Sequence, residues 1–170
     1  SKVSYGTSAG TYNTSEPSNS EQVSDHEIIL TNLEPGTTYY YKAKWTDEDG
    51  NTGSSSEKTF TTDPAPTISE VSVKNISLSS AFVAFTSTGA SKVKIYYGET
   101  AAFGAVKVVE TSTAESDYTA QLEDLKDGTK YFYKINGFDS EDAEYEGTIL
   151  SFETLPRPKI STVRIQQVKG

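Results

Sequence analysis

Apolar residues recur at every second position over short segments of this chain, which is the period of a β-strand with one buried face. The pattern is clearest in residues 30–41, which read LTNLEPGTTYYY. A second segment, 122–133, reads LEDLKDGTKYFY. Each segment predicts the end of one strand, a turn at Gly36 or Gly128, and the start of the next strand. No segment shows sustained helical periodicity, so the sequence predicts an all-β chain.

The two segments lie 92 positions apart, and this offset extends far beyond them. It pairs residues 1–78 with 93–170 without a gap and leaves only 79–92 unmatched. A fixed internal period with matching apolar positions indicates tandem modules. The predicted domains, in order, are a partial module at 1–63, a complete module at 64–156, and the first strand of a following module at 157–170.

The alternation predicts seven strands in the complete module, near residues 71–73, 83–85, 93–97, 106–109, 118–122, 131–135 and 150–152. It predicts four in the partial module, near 3–5, 26–30, 39–45 and 60–62. Residues 7–23 are polar and are expected to form a loop with at most one weak strand. Ile160, Val163 and Ile165 repeat the first strand of the complete module, and we expect this tail to be frayed or lent to a neighbour.

The repeated motif carries a family resemblance. Leu-x-x-Leu-x-x-Gly-Thr-x-Tyr-x-Tyr, followed by an acidic hairpin and Phe-x-Thr before proline, resembles a fibronectin type III module. The opening residues 2–7, KVSYGT, are similar to a strand of the subgroup that includes the amino-terminal domain of purple acid phosphatases, and of many bacterial multi-module surface proteins. The resemblance implies tandem immunoglobulin-like (fibronectin type III) β-sandwiches, a fold that hosts many unrelated functions.

Seven residues are expected to be structural in this fold. Tyr39 and Tyr131 occupy the tyrosine-corner position, where the hydroxyl bonds back to nearby backbone. Phe85 stands where the family usually has tryptophan. The other four are the motif leucines and turn glycines, namely Leu33, Leu125, Gly36 and Gly128.

The partial module begins at the family's third strand, so its first two strands have no counterpart in residues 1–63. Two strands supply about three inward side chains each, worth roughly 1.5–3 kcal/mol apiece. That sum is comparable with the whole stability of a domain. We therefore expect the missing strands to come either from a longer polypeptide or from another chain.

The formal net charge is −9, but it is unevenly spread. Residues 157–170 contain four basic residues and no acid, while the preceding modules are acidic. Acidic modules disfavour nucleic acid, which is bound through clustered lysine and arginine. The chain has no cysteine, so no disulfide or thiolate metal site is possible, and it has no apolar run as long as a membrane span.

Candidate chemistry is sparse. His26 is the single histidine, which excludes a histidine-based triad, and we expect a partly buried structural imidazole. The turn at 47–51 brings together the oxygen donors Asp47, Asp49 and Asn51 around a glycine, as calcium loops do, but the spacing does not complete an EF-hand. A second acidic turn lies at 139–142. Calcium at the first turn is one hypothesis, and an ordinary acidic hairpin turn is the other.

Two further kinds of feature concern the surface. Asn13 and Asn75 each open an Asn-x-Ser/Thr triplet, a weak glycosylation signal. Tyr40, Tyr96 and Phe132 are expected to face outward, where they could form an aromatic platform for sugars or proteins. Packing across the sheet face explains them equally well.

These observations predict a non-catalytic structural or adhesive repeat region of a larger extracellular or cell-surface protein, with no cofactor. Its partners would be neighbouring modules, and other protein chains or surface glycans. One alternative is a set of accessory modules of a secreted glycoside hydrolase or phosphatase. Another is a fibre subunit assembled by strand donation, which is less favoured because one donated strand cannot replace two.

Overall fold

The computed structural model describes residues 1–17 and 25–164. Every regular element in these residues is a β-strand, which confirms the predicted all-β class. The strands in chain order are β1 Lys2–Gly6, β2 Thr14–Pro17, β3 Thr38–Thr46, β4 Thr52–Ser54, β5 Lys58–Thr61, β6 Thr67–Lys74, β7 Ala81–Thr88, β8 Lys92–Gly98, β9 Ala105–Glu110, β10 Ser116–Leu122, β11 Lys130–Phe138, β12 Glu144–Tyr145 and β13 Leu150–Glu153.

The chain divides into two compact units, Ser1–Ala65 and Pro66–Gly170. We refer to them as unit 1 and unit 2. The division falls within the proline-bearing segment 63–66.

Unit 2 is a sandwich of two antiparallel sheets. One has the strand order β10-β7-β6, and the other has the order β12-β11-β8-β9 with β13 also paired to β11. In strand β7 the residues alternate between buried and half-buried along the whole strand, so one face of its sheet is directed at the core. The core takes residues from both sheets, namely Ala81, Val83, Phe85, Ala90, Val93, Ile95, Ala120, Leu122, Leu125, Tyr131, Tyr133, Ile135 and Phe152.

Unit 1, in the residues described, is a single antiparallel sheet with the order β2-β1-β3-β4, and β5 is also paired to β3. Its register repeats that of unit 2. Val3 pairs with Ala43 between β1 and β3, as Ile95 pairs with Ile135 between β8 and β11. The described residues of unit 1 contain no second sheet over this face.

Residues 25–30 form no strand, so the strand predicted over 26–30 is wrong. The equivalent strand of unit 2 is β10, which pairs with β7 alone. The described part of unit 1 contains no equivalent of β7, and a lone strand leaves its backbone N–H and C=O groups unpaired. The expected partial burial of His26 is wrong for the same reason, since its side chain is exposed.

A related finding concerns the tail, for which the sequence predicts a segment that is frayed or lent to a neighbour. Residues 157–164 form no strand, and Ile160 and Val163 are 85% and 76% exposed. Ile165 lies outside the described residues. A strand needs a ladder partner, and none pairs with this segment among the described residues. By contrast, the weak strand expected within 7–23 is present as β2.

The two motif glycines adopt the conformation that their turns require. Gly36 and Gly128 have φ of 60° and 55°, the left-handed region that glycine enters without steric cost. Their N–H groups donate to the carbonyls of Asp63 and Leu155, at 2.8 Å and 3.0 Å. Each turn is thereby tied to the chain that leaves the last strand of its unit.

A buried hydroxyl without a hydrogen-bond partner lies in β7. The Oγ of Ser87 is fully buried and has no partner among the described residues. Removing it eliminates an uncompensated desolvation cost, so we expect Ser87→Ala to raise the free energy of unfolding by about 1 kcal/mol. Urea unfolding followed by circular dichroism measures the change.

Thr154→Ala is the matched control for Ser87→Ala. Thr154 is 1% exposed, but its hydroxyl is hydrogen-bonded to backbone on both sides. We expect this variant to lose about 1–3 kcal/mol. A loss of stability in Ser87→Ala would contradict the prediction.

Candidate functional site

The hydroxyl of Tyr131, at the start of β11, is hydrogen-bonded to the turn that precedes the strand. Its Oη accepts a 2.9 Å hydrogen bond from the backbone N–H of Lys126, and its ring stacks on Phe152 with centroids 5.7 Å apart. Thr154 closes the same corner, because its hydroxyl donates to the Lys126 carbonyl at 2.6 Å and accepts from the N–H of Thr129 at 2.9 Å. Both hydroxyls therefore fasten β11 and β13 to the turn.

Unit 1 contains the same corner at equivalent positions. Tyr39 accepts a 2.9 Å hydrogen bond from the N–H of Glu34, and its ring stacks on Phe60 with centroids 5.5 Å apart. The Thr62 hydroxyl donates to the Glu34 carbonyl at 2.7 Å and accepts from the N–H of Thr37 at 2.9 Å. The bonds that engage these hydroxyls give them a structural role.

Three other residues that the sequence marks as structural lie at or near the inner faces. Leu125 is 6% exposed in the core of unit 2, and its equivalent Leu33 is half-buried in unit 1. Phe85 is 2% exposed and stacks on Tyr118 with centroids 5.7 Å apart. The phenylalanine thus fills its place in the core of unit 2 together with a neighbouring aromatic ring.

The acidic turn of unit 1 directs its first carboxylate onto its own backbone. Asp47 accepts hydrogen bonds from the backbone N–H of Asn51 at 2.8 Å and from the Asn51 side-chain amide at 2.9 Å. The side-chain bond, followed by the backbone bonds, holds the pKa of Asp47 below its usual range. Asn51 therefore turns its amide hydrogens, and not its oxygen, toward Asp47, while Asp49 is exposed.

The acidic turn of unit 2 uses a carboxylate in the same way. Asp139 accepts 2.9 Å hydrogen bonds from the N–H groups of Glu141 and Ala143, and a 3.2 Å bond from the hydroxyl of Tyr145. Among residues 1–17 and 25–164, no three His, Cys, Asp or Glu side chains form a group that could hold a metal ion. The first carboxylate of each turn, Asp47 or Asp139, is thus hydrogen-bonded to the backbone of its own hairpin.

Polar and aromatic side chains converge on the outer face of the β11-β8 sheet, away from the core. We call Tyr96, Phe103, Lys134, Glu144 and Glu146 the aromatic–lysine cluster. The Lys134 ammonium lies 5.5 Å and 5.8 Å from the centroids of the two rings and 2.8 Å from a Glu146 oxygen. The Tyr96 hydroxyl donates to Glu144 at 3.0 Å. Cation–π attraction and charge pairing therefore act on the same lysine.

A fully buried amide lies beneath this cluster. Asn136 donates through Nδ2 to Glu144 at 2.8 Å and accepts the N–H of Gly147 through Oδ1 at 3.2 Å. The hydrogen bond from Asn136, then the one from Tyr96, lowers the pKa of Glu144. Burial, then the bond to Glu144, raises the pKa of Tyr96. The amide thus fixes the carboxylate that orients the aromatic ring.

The three residues of the expected aromatic platform, Tyr40, Tyr96 and Phe132, are all half-buried. Tyr40 belongs to unit 1, whereas Tyr96 belongs to unit 2 and is part of the aromatic–lysine cluster. Sequence reasoning missed Phe103, since it lies in the turn between β8 and β9 where no alternation marks it. Gly98 at the end of β8 is a sequence signal for this turn, because a glycine in a strand often marks a place that another part of the backbone approaches closely. A Cβ at Gly98 would lie 2.7 Å from the Phe103 carbonyl carbon.

Both glycosylation triplets begin at exposed residues. Asn13 is exposed next to β2, and Asn75 is exposed in the turn after β6 with φ of 49°. The exposure of these two asparagines is compatible with glycosylation, but exposure alone is no evidence for it.

Comparison with known proteins gives a family match for unit 1. Residues 1–62 match the model of the purple acid phosphatase N-terminal domain. The sensor domain of the anti-sigma factor RsgI4 from Pseudobacteroides cellulosolvens is similar, with 24% identity over 59% of this chain and 100% of that chain, and a TM-score of 0.45. The FN1–FN3 domains of chicken CNTN1 are similar at 20% identity over 91% of this chain and 53% of that chain, with a TM-score of 0.43. No curated protein matches the sequence.

The two antiparallel sheets of unit 2 form the β-sandwich that the sequence predicts, and the fibronectin type III-like resemblance is confirmed at the level of the fold. Unit 2 has both sheets of such a sandwich, and unit 1 has the equivalent of one. The residues that the structure describes include no helix long and apolar enough to cross a membrane. The class of protein is a β-sandwich module, a fold that hosts many unrelated functions.

We expect Tyr131→Phe to destabilise unit 2, because it leaves the part-buried Lys126 N–H without its acceptor. The expected loss is about 1–3 kcal/mol in the free energy of unfolding, measured by urea denaturation. Tyr133→Phe is the matched control in the same strand, since it also removes one hydroxyl from a buried core tyrosine but leaves the corner bond in place. Equal losses in both variants would show that the corner hydrogen bond contributes nothing.

Calcium should leave the thermal unfolding of the chain unchanged, because the Asp47 carboxylate is already engaged with Asn51. Melting curves recorded with calcium and then with a chelator measure this. An upward shift of the midpoint with calcium that is lost in Asp49→Asn would instead establish the turn at 47–51 as a calcium site.

Proposed function

We propose that this chain is a non-catalytic structural and interaction region, part of a larger extracellular or cell-surface protein, in which the repeats act as a semi-rigid spacer or protein-interaction array. The observation that carries the proposal is the way each proline of the segment 63–66 is packed. The extracellular location rests on the likeness of the repeated motif to multi-module surface proteins.

The two prolines of the joint are each held by their own unit. A Cβ built on Gly36 would lie 3.6 Å from the Cα of Pro64, so that proline packs closely on the turn of unit 1. In unit 2, Pro66 lies 3.4 Å and 3.3 Å from the corresponding positions at Gly89 and Gly137. Only Ala65 separates the two packed prolines, and proline also restricts the residue that precedes it. A joint with so few free torsions supports the spacer role.

The first of these contacts recurs at the end of unit 2. Pro156 lies 3.4 Å from the Cβ position of Gly128, and Pro64 lies 3.6 Å from that of Gly36. A proline packed in the same way after each unit supports an array of constant spacing. The engagement of the corner hydroxyls and hairpin carboxylates in structural hydrogen bonds supports the non-catalytic part of the proposal.

A second candidate function follows from the family match of residues 1–62. In this alternative the modules are accessory domains of a secreted enzyme, such as a phosphatase or a glycoside hydrolase. The coding sequence on either side of residues 1–170 distinguishes the two, since the alternative requires a hydrolase catalytic domain there.

The spacer role predicts a narrow distribution of distances between the units. The chain has no cysteine, so Ser56→Cys and Thr100→Cys, both at exposed positions, provide unique sites for spin labels. Pulsed electron resonance measures the distribution. Adding Pro64→Gly and Pro66→Gly should broaden it roughly twofold, because the joint then behaves as a flexible linker.

The matched control replaces the equivalent prolines after unit 2. Pro156→Gly together with Pro158→Gly changes the same pair of residues outside the labelled joint, and the distribution should keep its native width. A native distribution as broad as that of the joint variant would defeat the spacer role.

A further inference from the structure

The end of the hairpin that follows β11 is joined to the rest of unit 2 by little backbone pairing. We call residues 139–149 the carboxylate flap. Its strand β12 pairs two residues with β11, Glu144 and Tyr145, and residues 146–149 form no strand. Side chains therefore supply much of the attachment between the flap and the sheet.

Three carboxylates at alternate positions of the flap reach the neighbouring strands. Asp142 lies 2.5 Å from the ammonium group of Lys92 in β8. Glu146 lies 2.8 Å from the ammonium group of Lys134 in β11. Glu144 lies between these two ion pairs in sequence, so the flap is attached by carboxylates along its length.

Glu144 binds two uncharged side chains of the same strands. It accepts a 2.8 Å hydrogen bond from the fully buried amide of Asn136 and a 3.0 Å bond from the hydroxyl of Tyr96. Through Oδ1, the same Asn136 accepts the backbone N–H of Gly147 at 3.2 Å. One buried amide thus holds both a carboxylate and a backbone group of the flap.

Gly147 lets the flap lie directly on the backbone of β11. A Cβ at this position would overlap the carbonyl oxygen of Ile135, so the close approach requires glycine. The flap therefore covers the edge of β11 over residues 134–138, where an open edge would present unpaired backbone groups.

The equivalent hairpin of unit 1 is attached by backbone. At the 92-residue offset, Glu144 and Glu146 correspond to Thr52 and Ser54 in β4, which pairs three residues with β3. The residue after Ser54 donates its N–H to the carbonyl of Ala43 at 2.9 Å. Dependence on carboxylates at these positions therefore belongs to unit 2.

We propose that the carboxylate flap is released by acid: it is closed over β11 while its carboxylates are ionised, and it opens locally when they are protonated, before the sandwich of unit 2 unfolds. A protonated carboxyl group no longer forms an ion pair with lysine, and it is a weaker hydrogen-bond acceptor than a carboxylate. Opening uncovers the edge of β11, so access to that edge depends on pH. The flap lies within unit 2, and its opening does not depend on the spacer role proposed above.

The groups that face Glu144 from β8 and β11 favour its ionised form. The hydrogen bond from Asn136, then the bond from Tyr96 and the attraction of Lys94 and Lys134, holds the pKa of Glu144 below its usual value. Glu144 therefore binds its proton more weakly in the closed flap than it does when the flap is open.

Asp142 behaves in the same way. The bond to Lys92, then the attraction of Lys92 and Lys94, lowers the pKa of Asp142. Because both pKa values are lower in the closed flap, the attachment is complete near neutral pH and is lost as the pH falls through them. Asp139 instead bonds to the N–H groups of Glu141 and Ala143 within the flap itself.

The test measures amide hydrogen exchange of the whole chain by NMR, as protection factors that correct for the pH dependence of the intrinsic rate. The N–H of Gly147 reports on the flap, because its acceptor is the side chain of Asn136. Its protection factor should fall on the order of tenfold between pH 6 and pH 3. The amides of β7, which exchange through unfolding of the sandwich, should stay more protected at each pH.

Glu144→Gln tests the carboxylate itself, since glutamine keeps the shape and an acceptor oxygen but carries no charge. At pH 6 this variant should lower the Gly147 protection factor by a similar factor, on the order of tenfold, and it should respond less to further acidification. Glu141→Gln is the matched control in the same flap, because the hydrogen bond of Glu141 to Asp139 is made by its backbone N–H. It should behave as the native chain does.

Three results would overturn the proposal. The first is a Gly147 protection factor that stays constant between about pH 6 and pH 3. The second is equal protection of Gly147 and the β7 amides at every pH, which would mean that the flap opens only when the whole unit unfolds. The third is a Glu144→Gln chain that exchanges as Glu141→Gln does, since the carboxylate would then not hold the flap.

Discussion

Burial of one face of the β11-β8 sheet is the constraint on which the rest of the structure depends. In unit 2 the residues of this face, such as Ile95 and Tyr133, are enclosed by Val83, Phe85 and Leu122 of the facing sheet. Each fully buried apolar side chain contributes about 1.5–3 kcal/mol relative to exposure. A domain's net stability is only about 5–15 kcal/mol. A stable module therefore requires the facing sheet. The corner and hairpin hydrogen bonds add to this stability by fastening the turns to the strands.

Strand formation in this fold follows from that constraint and from pairing between distant segments. Residues 26–30 repeat the apolar alternation of β10, yet only β10 is a strand, because β7 lies beside it. The same holds for 157–164, which repeats the start of β6 without a partner strand among the described residues. The local alternation of apolar residues predicts a strand, but the strand forms only where a neighbouring strand pairs with its backbone N–H and C=O groups.

This difference explains how far the sequence could predict the structure. The repeat, the all-β class and the strands of unit 2 follow from alternation, and the corner of Tyr131 follows from a motif whose parts are close in sequence. The strand at 26–30 was predicted wrongly, because strand formation there depends on a pairing partner that local alternation does not reveal. The aromatic–lysine cluster was missed because Phe103 sits in an irregular turn and Asn136 is buried on a face where polar residues are expected to meet water.

The two units have the same corner hydrogen bonds at equivalent positions, but the outer faces of their sheets differ. Each has a lysine at the same position of its central strand, Lys42 in β3 and Lys134 in β11. Lys42 lies 5.6 Å from the ring of Tyr12, whose hydroxyl donates to Glu57, a bond that raises the pKa of Tyr12 to about 12. Lys134 instead lies within the aromatic–lysine cluster. The corner bonds are therefore shared by both units, whereas the side chains around the central-strand lysine differ between them.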